Sequence, residues 1–141
     1  MDKSNDDARS IELTPADRIE LHELAARYGT TIDERDWPGL EGVFCHDAVY
    51  ELRNFGAPDR RVVGAATIRQ MMEESDGHPV AHHVTNVIVT VDGGRVRMRS
   101  KVIGTSPSGR AGSADYDDIV RREDGTWRIA SRVVVRRGVQ P

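Results

Sequence analysis

The order of two hydrophobic patterns most constrains the fold of this chain. Up to Glu74 the apolar residues recur mainly at helical spacing, whereas from Val84 onward they follow extended segments joined by tight turns. Because helices come first and strands follow, the pattern predicts an α+β domain with the helices packed on one face of an antiparallel sheet. Such a sheet would enclose a pocket if it curved strongly around a long helix.

Three helices are predicted in the first half of the chain. Thr14 is a typical N-cap, because its hydroxyl can accept a hydrogen bond from the first helical turn, and Pro15 suits the first helical position. Asp36 precedes Trp37-Pro38 in the same manner. The predicted helices cover about residues 14–33, 36–44 and 64–74.

Five strands are predicted, one between the second and third helices and four after them. Asp92-Gly93-Gly94 and Asp124-Gly125 are hairpin turn signals. Between Arg95 and Ile103 apolar residues alternate with Arg and Lys, so one face of that strand should be buried and the other basic. The predicted strands cover residues 48–55, 84–91, 95–103, 115–122 and 126–136.

Length and charge limit the kinds of protein that this chain can be. The 141 residues suit one domain, which we assign to residues 13–141 after a polar, disordered tail over residues 1–12. A net charge of −3 gives no reason to expect nucleic acid or membrane as a partner. The lone Cys45 cannot form an internal disulfide, and no apolar targeting segment precedes the domain, so we expect a cytoplasmic protein.

Several ionisable side chains lie on otherwise apolar segments. Asp33 ends the first predicted helix, Tyr28 lies on its apolar stripe, and His82 and His83 enter a Val-rich strand. Only one of the two histidines can face inward, because successive side chains of a strand point to opposite faces. Taken singly, each of these residues is more typical of a structural role, and spacing alone does not bring them together.

Other chemistries find less support. His78, His82 and His83 do not match a metal-binding pattern, since adjacent histidines on a strand diverge, and we predict no metal site. The chain has no nucleophile elbow and no glycine-rich phosphate loop. Arg132, on a Val-rich strand, is expected to form a structural salt bridge with Asp117 or Asp118.

An ordered set of short motifs resembles the SnoaL-like polyketide cyclase/dehydratase domains of the nuclear transport factor 2-like superfamily. The set spans about residues 12–137 and includes the segments 26–37, 43–48, 82–86 and 124–129. The resemblance implies a cystatin-like fold, in which a cone-shaped, curved antiparallel sheet wraps around the N-terminal helices and leaves a pocket at the open end. Binding modules share this fold with enzymes, so the fold alone does not define a function.

The dehydratase branch of the family implies a Tyr–Asp–His site. Asp33 matches the pocket aspartate, His83 the histidine of the strand motif, and Tyr28 the tyrosine five residues before the aspartate. Ile32 stands where scytalone dehydratase has a tyrosine, which argues against the scytalone reaction. We also expect three substrate-binding residues, of which the first matches a late-strand pocket arginine: Arg136, Asn86 and Tyr50.

These residues imply a cofactor-independent enzyme that performs general acid–base chemistry. His83, held by Asp33, would remove a proton next to a carbonyl, while Tyr28 would stabilise the oxygen, as dehydration, isomerisation and aldol-type cyclisation all require. The expected substrate is a hydrophobic polyketide-like or steroid-like carbonyl compound, and the expected assembly is a homo-oligomer, either dimer or trimer.

Two alternatives stay open. The chain is a non-catalytic small-molecule-binding or accessory domain, or it is the small subunit of a ring-hydroxylating dioxygenase with an iron-containing partner. Contact between Asp33 and His83 in an open cavity would favour an enzyme. A collapsed interior, or an inward His82 with His83 in solvent, would favour a binding protein.

Overall fold

Three helices and six strands make up the computed structural model, which describes residues 11–56 and 58–138. The chain order is α1 (Pro15–Asp33), α2 (Trp37–Val43), β1 (Phe44–Arg53), β2 (Arg60–Val63), α3 (Ala65–Glu73), β3 (Ala81–Asp92), β4 (Arg95–Thr105), β5 (Ala111–Glu123) and β6 (Thr126–Arg137). All three predicted helices are confirmed.

Side-chain caps start the first two helices where the sequence predicts. Thr14 accepts a hydrogen bond from the Asp17 backbone, and the Asp17 carboxylate binds the Thr14 backbone in return, which forms a capping box. Asp36 accepts a hydrogen bond from the Gly39 backbone at 3.0 Å and so caps α2. These local contacts are encoded within four residues, which explains why the sequence alone predicts them.

The six strands form one curved, unclosed sheet in the order β2-β1-β6-β5-β4-β3. The predicted α+β class and cystatin-like architecture are confirmed. One pair departs from the all-antiparallel expectation, since β1 runs parallel to β6, with Tyr50 opposite Arg132. A parallel pair needs a long connection between its strands. Here β2, α3 and the other three strands provide that connection.

The β1–β2 region differs from the prediction in two ways. The β1 strand starts at Phe44, which the apolar spacing had placed in the second helix, and Phe44 and Cys45 are buried there. The short β2 strand was not predicted, because only Val62 of its four residues is buried. An edge strand of four residues leaves too little alternation for a sequence pattern to reveal.

The hydrophobic core fills the space between the helices and the concave face of the sheet. Helix α1 contributes one buried stripe, which includes Leu21, Leu24 and Ile32. As predicted, β4 buries Val96, Met98 and Val102. On its opposite face Arg97 and Lys101 form ion pairs with carboxylates of β5. Helix α1 is therefore held against the concave face along its length.

The predicted disordered tail lies outside the described residues, apart from Ile11 and Glu12, which belong to no helix or strand. None of the described helices is long and apolar enough to cross a bilayer.

Candidate functional site

Asp33 and His82 form a hydrogen-bonded pair of a carboxylate and an imidazole. Asp33 is the last residue of α1, and its Oδ1 lies 2.6 Å from Nδ1 of His82 near the start of β3. The second carboxylate oxygen, Oδ2, accepts a hydrogen bond from the His82 backbone N–H at 2.9 Å. Because both oxygens bind the same residue, the imidazole has a fixed position relative to the carboxylate. The His82 side chain is 6% exposed and that of Asp33 is 25% exposed.

A glycine allows the helix to approach the strand at this point. A Cβ placed on Gly29 would lie 3.1 Å from the backbone oxygen of His82, which is closer than nearly all real contacts of this kind. By its low helix propensity alone, Gly29 would only weaken the last turns of the helix. In the structure its missing side chain brings the end of α1 close enough for Asp33 to reach β3.

The predicted contact between Asp33 and His83 is wrong, and a β-bulge explains why. Val89 is buried on the concave face, so strict alternation back along β3 would turn His83 inward. The register shifts between Thr85 and Ile88, where Asn86 adopts a left-handed φ of 55°. The extra residue reverses the alternation, so His82 faces α1 and His83 is exposed.

The same bulge accounts for Asn86, which we had expected to line the site. Asn86 is exposed, and its side-chain oxygen accepts a hydrogen bond from the Thr85 hydroxyl at 3.0 Å. Arg136 is likewise exposed, near the end of β6, where its backbone oxygen binds the Asn54 side chain. The structure therefore does not bring either residue to the Asp33–His82 pair, and their substrate-binding roles remain predictions.

The structure does bring together two other candidate residues, Tyr28 and Tyr50. Their hydroxyls lie 3.0 Å apart, and both side chains are buried. The Tyr28 ring packs edge-on near the His82 ring, with 6.4 Å between the ring centroids. Burial raises the pKa of Tyr50 well above its usual value, and the neighbouring Tyr28 contributes to the rise. The pair is therefore a neutral hydrogen-bonding group beside the Asp33–His82 pair.

A fully buried ion pair lies behind the tyrosines. Arg132 donates from Nε and Nη2 to the two oxygens of Asp118, at 2.8 and 2.7 Å, which confirms the predicted salt bridge and selects Asp118 over Asp117. The guanidinium carbon lies 4.0 Å from the ring centroids of both Tyr28 and Tyr116. Burial alone would lower the pKa of Arg132, but the Asp118 carboxylate raises it, so the guanidinium stays charged.

This geometry supports proton transfer at His82. An ionised carboxylate only accepts hydrogen bonds, so Asp33 selects the imidazole form that carries its hydrogen on Nδ1. The Nε2 lone pair of His82 is then the basic group, and Asp33 stabilises the cation that forms when Nε2 takes a proton.

Two observations favour a binding protein over an enzyme. An inward His82 was the arrangement expected of a binding protein, and Tyr28, Tyr50 and Arg132 fill the concave face behind the pair. Two grooves, of about 510 and 260 Å³, lie away from Asp33 and His82, one beside Trp127 and one on the outer sheet face. His82 faces inward and His83 is exposed, so that condition for a binding protein is met. Asp33 nevertheless contacts a histidine in the structure, namely His82 in place of His83.

Fold and site together define a small α+β domain with an Asp–His pair beneath a curved sheet. The family model for the SnoaL-like domain matches residues 14–133. The chain belongs to this family, within the nuclear transport factor 2-like superfamily. The family includes dehydratases and isomerases.

Individual relatives agree with this assignment. "Uncharacterized protein Rv2910c" of Mycobacterium tuberculosis is 36% identical over 129 residues, which cover 84% of each chain. A Nostoc punctiforme protein of unknown function with a cystatin-like fold superimposes with a TM-score of 0.75, at 26% identity over 93% of this chain and 98% of that chain. A hexachlorocyclohexane dehydrochlorinase superimposes with a TM-score of 0.69, at 17% identity over 87% of this chain and 86% of that chain, which shows a shared fold.

Proposed function

We propose that this protein is a cofactor-independent lyase, isomerase or cyclase that acts on a hydrophobic carbonyl compound of polyketide or steroid type. The observation that carries the proposal is the 2.6 Å contact between Asp33 and His82, in which both carboxylate oxygens hold one histidine. The doubly bound carboxylate adds a fixed ring orientation and a counter-charge, which are what a general base requires.

The proposed reaction starts with proton removal. Nε2 of His82 takes a proton from the carbon next to the carbonyl, and the electron pair of the broken C–H bond forms an enolate. Of the two hydroxyl hydrogens of Tyr28 and Tyr50, one lies between the two oxygens, which leaves the other to bind the enolate oxygen. In a dehydration, the same proton then passes from His82 to the departing hydroxyl, which leaves as water.

Hydrogen–deuterium exchange tests this step without knowledge of the final product. Polycyclic and polyketide-like ketones are incubated with the protein in deuterated water, and mass spectrometry measures deuterium uptake next to the carbonyl. We expect His82→Ala and Asp33→Asn each to lower the exchange rate by about a hundredfold or more. Because His83 is exposed and adjacent, His83→Ala is the matched control and should retain the wild-type rate.

Equal rates in wild type, His82→Ala and Asp33→Asn would contradict the proposal, as would a loss of activity in His83→Ala alone. The filled concave face favours one second candidate, a non-catalytic binding domain. Wild-type protein that binds a ketone of the panel, detected by calorimetry, but catalyses no exchange would support that candidate instead.

A further inference from the structure

A second imidazole lies beside the Asp33–His82 pair. His78 belongs to the loop between α3 and β3, and its ring centroid lies 6.0 Å from that of His82. Its Nε2 is buried and has no hydrogen-bond partner among the described residues. A buried polar atom without a partner costs about 1–3 kcal/mol, so the packing around His78 has to offset that cost.

Strand β4 fixes the position of this loop. The Val80 backbone N–H donates to the Thr105 backbone oxygen at 2.8 Å, and Pro79 lies against Gly104. A Cβ on Gly104 would lie only 2.7 Å from Cγ of Pro79, so the close packing depends on the glycine. Pro79 and Val80 are therefore anchored to the sheet, and His78, the residue before them, lies beside His82.

We propose that His78 is a positioning residue for His82, whose ring packs against the His82 imidazole and keeps it on the Asp33 carboxylate. The expected effect of His78 on catalysis rests on the proposed function. Its effect on the position of the His82 ring does not.

The surrounding charges suit this role. The charged groups that face His78 are Asp33, Arg35 and His82, on α1, after its end and on β3. Burial lowers the pKa of His78, and protonated His82 and Arg35 lower it further, whereas Asp33 acts in the opposite direction. These effects favour the neutral form of His78, so its ring packs beside His82 without adding a positive charge.

Proton NMR of the full chain tests the positioning directly. An imidazole Nδ1–H that is held by a carboxylate gives a low-field resonance, and His82→Ala assigns this resonance to His82. We expect His78→Ala to broaden the resonance or shift it upfield, because the ring gains freedom to leave Asp33. The deuterium exchange rate should also fall, about tenfold to a hundredfold, since a small displacement of a catalytic group has effects of this size.

His78→Phe separates positioning from proton transfer, since phenylalanine keeps the ring packing without a titratable group. We expect it to retain the low-field resonance and most of the exchange rate. His22→Ala, at an exposed histidine of α1, is the control and should change neither readout. His78→Phe also keeps the test informative if His78→Ala does not fold.

The inference is overturned if the low-field resonance is unchanged in a folded His78→Ala, or is lost in His78→Phe. A wild-type protein that shows the resonance but catalyses no exchange would refute the proposed function alone. The positioning role would then still be decided by the resonance in the two variants.

Discussion

Two aspartates of this protein differ in what their partners can do. Asp118 binds Arg132 through two hydrogen bonds, and both side chains are fully buried. An arginine does not lose its proton in a protein, so Arg132 has one charge state and holds the tyrosines between which it lies. Asp33, in contrast, binds an imidazole, a group that can both donate and accept a proton. Of the two pairs, only Asp33–His82 therefore offers a group for the proposed proton transfer, whereas Asp118–Arg132 supports the structure.

The Asp118–Arg132 pair gives a stability prediction with a neighbouring control. Asp118→Asn leaves the Arg132 charge buried without a counter-charge, which should lower the free energy of unfolding by about 3–5 kcal/mol. Asp117→Asn removes an equally close carboxylate from Arg97 on the outer face, where the two side chains are 38% and 41% exposed. Asp117→Asn should therefore lower the free energy of unfolding by only about 0–1 kcal/mol. Urea unfolding followed by circular dichroism measures both, and equal losses would contradict the structural role of the buried pair.

At the scale of elements, local signals were sufficient for the helices and insufficient for the site. Thr14 and Asp36 cap their helices through contacts within four residues, so the sequence alone places both helix starts. Which side chains of β3 face inward depends instead on the bulge at Asn86, which local sequence propensity does not predict. The one inserted residue turns His82 inward in place of His83. The resemblance to family motifs therefore led to the strand that contacts Asp33, but to the neighbour of the contacting histidine.

The contact between α1 and β3 can be tested with one glycine. Gly29→Ala improves helix propensity by about 1 kcal/mol, but its new Cβ meets the His82 backbone oxygen, so we expect little net change in stability. Because the end of α1 must move by a few tenths of an ångström from β3, the deuterium exchange rate should fall and the low-field resonance of His82 should shift.

The matched control lies in α2, where a Cβ on Gly42 would touch nothing within 4 Å. Gly42→Ala should raise the free energy of unfolding by about 0.5–1 kcal/mol without any effect on the exchange rate. If Gly29→Ala stabilises the protein as much as Gly42→Ala and leaves the exchange rate intact, close approach at Gly29 is not needed for the site.

At the scale of the whole molecule, the two ends of helix α1 make different contacts. It carries Asp33 in its last turn and Asp17 in its first, about 24 Å apart. The sequence predicts that Asp17 lies near the positive end of the helix dipole, but not that it binds residues more than a hundred positions away. Asp17 accepts a hydrogen bond from the Trp127 indole at 3.0 Å and forms an ion pair with Arg122, so it fastens α1 to the β5–β6 hairpin.

The contacts of Asp17 predict how the free energy of unfolding depends on pH. Hydrogen bonds from the Trp127 indole, Thr14 and Arg122 lower the pKa of Asp17 far below its ordinary value of 3.8. Because the unfolded chain binds this proton at a higher pH than the folded protein does, the stabilisation is complete above pH 3.8 and is lost as the pH falls toward the folded pKa. Asp17→Asn removes the charge and should lower the free energy of unfolding at neutral pH.

Between about pH 6 and about pH 2 the wild type should therefore lose more stability than Asp17→Asn, so the difference between them shrinks. Asp47→Asn is a suitable comparison, because Asp47 is also bound to an arginine, Arg121, but its side chain is 65% exposed. Arginine pairing lowers the pKa of Asp47 as well, so this variant reports how much acid sensitivity comes from a surface pair alone. Parallel curves of unfolding free energy against pH for wild type and Asp17→Asn would show that Asp17 does not fasten α1 to the β5–β6 hairpin.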